Sequence, residues 1–208
     1  ACNTPSTNCF CQTSTQGTIA QGSTLSGAHA DLGVGGSSSP SCDPNGTLQS
    51  GLVAYWKMDE VSWNGTSGEV KDSAGSNNGT AVNGVNTTPG KFGNAGSFDG
   101  SDDYVDAGSG PSLNITDNLT IEAWIKIVGA HSDDRGAIVW KTSAYHISYT
   151  GTPDNWLLNW YHFGRTPFGY HNSNKTLKSN QWYHIVWTSS ASKDYLYIDG
   201  VLDKSVDV

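Results

Sequence analysis

The chain has 208 residues and a formal net charge of −8, and 11% of its residues are aromatic, including eight Trp. Its eleven basic residues never cluster, which excludes a phosphate-backbone footprint and an attraction to anionic membrane surfaces, so nucleic acid is not a partner. No stretch is long and apolar enough to span a bilayer, the aromatic content excludes a wholly disordered chain, and the wealth of Gly, Ser, Thr and Asn beside only three Glu favours short strands and polar turns over helices.

Residues 1–50 hold all four cysteines, Cys2, Cys9, Cys11 and Cys42. Four cysteines allow three pairings, of which Cys9–Cys11 is the least comfortable because its loop is so short. Two disulfides stapling a small polar segment are expected. Zinc is the weaker alternative, since the gap from Cys11 to Cys42 is wide and His29 is the only histidine nearby. GVGGSSSPS (33–41) reads as a flexible turn or linker, and the segment lacks the aliphatic residues to build a core. The chain opens at Ala1-Cys2 without a charged n-region and apolar h-region, so any secretion signal is removed or lies outside it.

From Gly51 the pattern changes to that of a β-domain running to residue 208. Leu52 to Met58 (LVAYWKM) reads as a strand with Ala54, Trp56 and Met58 on one face. Asp72 to Gly79 is an acidic turn, and GKFGNAGSFDG (90–100) sets Phe92 and Phe98 in short strands between glycines. Tyr104 to Asp106 follows as another. In Leu119 to Val128, Ile121, Ala123, Ile125 and Ile127 fall on one face and Glu122, Trp124 and Lys126 on the other, the period of a strand lying on a core. Further strands are expected at 138–141, 145–149, 156–163, 182–189 and 195–198, with Asp199-Gly200 as a type I′ hairpin turn. Many short strands with nothing helical between them describe an all-β, two-sheet antiparallel sandwich.

Catalytic patterns are missing. Glycoside hydrolysis needs a pair of carboxylates, and Glu122 shares its face with Trp124 and Lys126 rather than with a second acid, so it reads as a solvated strand residue. No nucleophile elbow or zinc-protease motif occurs. His146, His162 and His184 read as hydrogen-bonded strand residues. Oxygen-rich turns suit calcium: Asp72 with Asn77, and Asp99 with Asp102 and Asp103, offer that chemistry, the plainer reading being Asx turns that cap their own backbone. The strongest functional signal is aromatic. Nine aromatic residues lie between Trp140 and Tyr170, and in 156–163 they occupy both strand faces. One sandwich sheet has a single core side, so Trp160, Tyr161 and Phe163 mark a ligand-binding surface, unless another segment covers them.

GLVAYWKMDE (51–60), KDSAGSNNGTAVNG (71–84), PGKFGNAGSFDGSDDYVD (89–106), SLNITDNLTIEAWIK (112–126), QWYHIVWT (181–188) and LYIDG (196–200) together resemble the laminin-G-like, concanavalin A-like jelly rolls of bacterial surface proteins. The resemblance covers most of residues 51–208 and leaves the first fifty outside. It implies a jelly roll preceded by the disulfide-containing segment, and a structural Ca2+ whose early ligands are Asp59 and Asp72, joined by Asn77. Family members continue through further strands beyond LYIDG. The roll is therefore expected to be incomplete at its C-terminus, the closing strands lying outside this sequence or coming from another chain. The function implied is a noncatalytic, secreted or cell-surface recognition or adhesion module for an extracellular glycan or protein. A structural subunit of a surface appendage or filament, with self-assembly, is the alternative, and a glycoside hydrolase the weakest one.

Overall fold

The structure, a computed structural model, describes residues 19–20, 51–129, 135–164 and 169–208. Its strands in chain order are β1 (Ile19–Ala20), β2 (Thr80–Val82), β3 (Asn86–Pro89), β4 (Asn94–Ser97), β5 (Tyr104–Asp106), β6 (Leu119–Lys126) and β7 (Arg135–Lys141). They continue as β8 (Tyr145–Thr152), β9 (Asn155–His162), β10 (His171–Asn172), β11 (Trp182–Ser189), β12 (Lys193–Ile198) and β13 (Val201–Asp207). One sheet has the order β1-β6-β11-β12-β13 and the other β10-β9-β8-β7, while β2-β5 and β3-β4 form two small ribbons.

The strict alternation of β6 is what seats the first sheet. Its burial follows the sequence period residue by residue, with Leu119, Ile121, Ala123 and Ile125 buried and Glu122 and Lys126 half-buried. Against them the second sheet sets Ile147, Tyr149, Trp156, Leu158 and Trp160, so the two inner faces share one core with Tyr183, Ile185, Trp187, Leu196 and Ile198. Gly136 lies opposite Tyr149 in the ladder, and a Cβ there would stand 1.8 Å from the Tyr149 ring. The absent side chain leaves that ring its place. Asp194, 2% exposed, ties the layers together: its Oδ2 accepts a hydrogen bond from Trp160 Nε1 at 3.0 Å and from Trp187 Nε1 at 3.2 Å. A carboxylate taken out of water needs such donors. The hairpin at Asp199-Gly200 has φ of 54° and 77°, both positive as a type I′ turn requires.

A second cluster gathers Ala54, Trp56, Met58, Trp63, Val70, Ala81, Val85 and Leu113. Here the expectation of a strand over Leu52–Met58 needs correction. Ala54, Trp56 and Met58 do face one way into the cluster, but the segment makes only an isolated bridge, Trp56 to Asp72. The reason lies in its backbone partners: Tyr55 N donates to the Asp72 carboxylate rather than to a neighbouring strand. Phe92 and Phe98 lie just outside β3 and β4 rather than within them.

The fold class is corrected on two further points. The sandwich is antiparallel except at one edge, where Ile19–Ala20 pairs parallel with Thr120–Ile121. The expected disulfides are not part of it. No disulfide bond is present among the described residues, and Cys2, Cys9, Cys11 and Cys42 all lie outside them. The described fold is an all-β two-sheet sandwich held by its core, its ladders and buried polar ties.

Candidate functional site

Two tight connections build the site. The β7–β8 loop, closed by Ala144 N to Lys141 O at 3.1 Å, places Trp140 opposite His146. The β8–β9 turn at Pro153-Asp154, with Asp154 at φ 66°, places His146 opposite Tyr161. Side chains alternate along a strand, so these three residues form a row across three strands on the face turned away from Ile147 and Trp160. Their rings stand against one another. Trp140 stacks on His146 at 4.5 Å between centroids and 7° between planes, and His146 lies 5.5 Å and 25° from Tyr161. Tyr170 leans over both His146 and Tyr161, at 5.0 Å and 5.6 Å, and Phe163 meets Tyr161 edge-on at 6.4 Å.

The result is a hollow of about 330 Å³ whose wall includes Trp140, His146, Tyr161, Phe163 and Tyr170. Trp140 is 59% exposed, Phe163 56% and Tyr170 49%, whereas the imidazole they cover is 6% exposed. Stacking uses ring faces between neighbours, which fixes the rotamers and leaves the outer face and edges of Trp140 open. Below the hollow Tyr145 points into the core, where its hydroxyl donates to Leu113 O at 2.8 Å and burial pushes its pKa up to about 12.

Of the residues expected to bind ligand, Tyr161 and Phe163 lie in this hollow. Trp160 does not. It is 0% exposed, because the alternation that turns Tyr161 outward turns Trp160 into the core and its indole N–H onto Asp194. Trp140, His146 and Tyr170 take its place. Hairpin arithmetic was the signal for the first two, though not for Tyr170: a loop centred on Ser143 sets residues 140 and 146 opposite, and a turn at 153–154 sets 146 opposite 161. Phe168 lies outside the described residues.

The expected calcium ligands are arranged differently. Asp72 and Asn77 are brought together, yet as hydrogen-bonding partners. Asp72 Oδ1 accepts from the backbone N–H groups of Tyr55, Ala74 and Gly75 at 2.9–3.0 Å. Its Oδ2 accepts from Asn77 N at 2.9 Å and Asn77 Nδ2 at 3.2 Å. Burial raises its pKa, but the four backbone donors outweigh that and hold the carboxyl below its ordinary 3.8. Asp72 therefore caps its own loop, its oxygens already engaged, and the exposed Asp59 is not among these contacts. A different trio, Asp99, Asp102 and Asp103, has carboxylate oxygens within 4.8 Å of one another and can coordinate a metal ion. Desolvation and the two neighbouring charges raise the Asp103 pKa.

Glu122 also differs from its expected solvated state. Its side chain is 15% exposed, and Oε1 meets His184 Nε2 at 2.7 Å, with Trp124 tilted against the same imidazole at 5.1 Å. His184 is the hydrogen-bonded sheet residue the sequence indicates. No helix among the described residues is long and apolar enough to cross a membrane.

The family model of the concanavalin A-like lectin/glucanases superfamily matches residues 99–208, starting later than the resemblance at residue 51. Among solved structures, domain 4 of AbnA, a GH43 extracellular arabinanase from Geobacillus stearothermophilus, solved in complex with arabinotriose, is similar at 20% identity and a TM-score of 0.48. That likeness covers 66% of this chain and 71% of the other. No curated protein matches.

Proposed function

Because the chain belongs to the concanavalin A-like lectin/glucanases superfamily, we propose that it is a noncatalytic recognition module that binds an extracellular glycan in the aromatic hollow. The observation that carries this reading is the open ring of Trp140, 59% exposed and locked in place by the His146 stack. A sugar ring presents a face of C–H groups that packs on such a surface, and the aromatic rings contribute apolar contact with little rotamer freedom left to lose.

Size supports a small ligand over a broad protein partner. The hollow, about 330 Å³, sits at the lower end of the roughly 300–1,000 Å³ typical of small-molecule sites. A specific protein interface instead needs about 800 Å² on each partner. For a metal ion, the proposed place is the Asp99–Asp103 turn, whose carboxylate oxygens lie within 4.8 Å of one another, to be tested by calorimetric titration of the chain with Ca2+.

The glycan reading is tested by an array of polysaccharides and oligosaccharides probed with the chain and with Trp140→Ala. Retention of a glycan by the first and not the second, with unchanged thermal melts, is the expected result. Binding that survives Trp140→Ala intact removes the hollow from consideration.

A further inference from the structure

We infer that acidification loosens the aromatic hollow through His171, so that the chain holds its glycan at neutral pH and releases it in acid. This rests on the glycan-binding reading and adds regulation of the same site. His171 lies opposite Trp160 in the β9–β10 ladder, and its ring stands 5.6 Å from that buried indole. Side chains alternate along an extended chain. Tyr170, one residue earlier, accordingly reaches the other face and leans over His146 and Tyr161 at 5.0 Å and 5.6 Å. The backbone that sets Tyr170 in the wall is the backbone that carries His171 inward.

That backbone is held by a seam between the edges of the two sheets. Lys204 of β13 donates to Asn172 O at 2.7 Å. Asp203 accepts from Asn174 N at 2.7 Å and from Lys175 N at 2.8 Å, and its carbonyl accepts from Asn174 Nδ2 at 2.6 Å. Ser173 N donates to Leu158 O at 2.8 Å, which ties the same segment to β9. His171 sits just inside this seam, half-buried. The charges that act on it are Asp194 from β12 and Lys204 from β13. His162 lies two places along β9 from Trp160, with its Nδ1 2.9 Å from Ser189 Oγ.

A proton on His171 puts a second cation near the Lys204 ammonium, in a place partly closed to water. Burial pushes the His171 pKa down, Asp194 pulls it up and Lys204 pushes it down, and the balance lies below the ordinary 6.5. With the seam open the imidazole regains water and its ordinary value. The neutral ring therefore favours the closed seam above 6.5, and this preference is lost as pH falls through the lower value of the closed form. What gives way is a short edge strand held by a few hydrogen bonds, an element that can open without global unfolding. Tyr170 moves with it.

The test has one arm without ligand and one with it, on the chain, His171→Gln and His171→Lys, with melts to check folding. In proton NMR from about pH 8 to about pH 4.5, the Tyr170 ring resonances are expected to shift with the midpoint of the His171 imidazole. In His171→Gln that shift should vanish. On an array of neutral glycans, capture by the chain should fall about threefold between about pH 7.5 and about pH 5. His171→Gln should hold its capture at both values, and His171→Lys should be weak at both. Tyr170 resonances that stay fixed while His171 titrates, or that shift equally in His171→Gln, overturn the inference. Capture that ignores pH, or that falls equally in His171→Gln, also overturns it and leaves the glycan reading standing. Capture of no glycan at any pH, with the Tyr170 shift present and lost in His171→Gln, overturns the glycan reading and leaves the acid response of the hollow in place.

Discussion

Trp160 and Tyr161 are neighbours in β9, and they do opposite work. Trp160 is sealed between the sheets with its indole N–H on Asp194, whereas Tyr161 stands on the far side in the row that runs from Trp140 through His146. Both belong to the same aromatic run, and composition alone does not tell them apart. The difference is made by what each ring meets: an opposing sheet for one, and a line of other rings open to solvent for the other. The inner face spends its aromatic residues on stability, and the outer face keeps its own available.

The sharpest way to break this comparison is Trp160→Ala. Deleting a fully buried Trp is expected to cost about 3–5 kcal/mol by loss of transfer energy and by the cavity left behind, and Asp194 loses one of its two indole donors. Denaturant unfolding measures it, and a loss under 1 kcal/mol, about the scale of a surface change, would remove Trp160 from the core. Next comes Ile125→Ala in the facing sheet, 0% exposed, with an expected cost of about 2–4 kcal/mol by the same reasoning. An unchanged melt would contradict its core placement.

Asp72→Ala extends the comparison to a loop and should cost about 2 kcal/mol, because several backbone N–H groups lose a charged acceptor. The effect has a pH signature. The folded carboxyl titrates below its ordinary 3.8, so its contribution is whole above that value and is lost as pH falls through the lower folded value. The gap between the chain and Asp72→Ala in urea unfolding should therefore be wide at about pH 6 and narrow at about pH 2. A gap that does not change with pH would count against the cap.

The smallest change in stability is expected from Trp140→Ala, within about 0.5 kcal/mol for an exposed side chain. It is also the substitution expected to remove glycan capture. If Trp140→Ala destabilises as much as Trp160→Ala, the outer row is a packing layer and the division between the two faces fails.

Much of the sheet structure was legible from residue order. The β6 alternation, the strand at Trp182–Ser189 and the Asp199-Gly200 hairpin follow from local periods and turn chemistry, which act over a few residues and survive into the fold. Leu52–Met58 shows the limit. Its apolar face was readable and correct, but whether its backbone joins a ladder depends on Asp72, at a distance in sequence.

The sequence by itself determined an all-β sandwich, the residues that alternate into its core and the concentration of aromatic residues between 140 and 170. Only the tertiary structure decided which of those rings are open, since exposure depends on the sheet or segment that happens to lie opposite. It also turned Asp72 into a cap for Tyr55 N and gave Glu122 the partner His184. Each of these is a relation between groups distant in the chain, fixed by strand register and by the facing layer rather than by any local preference.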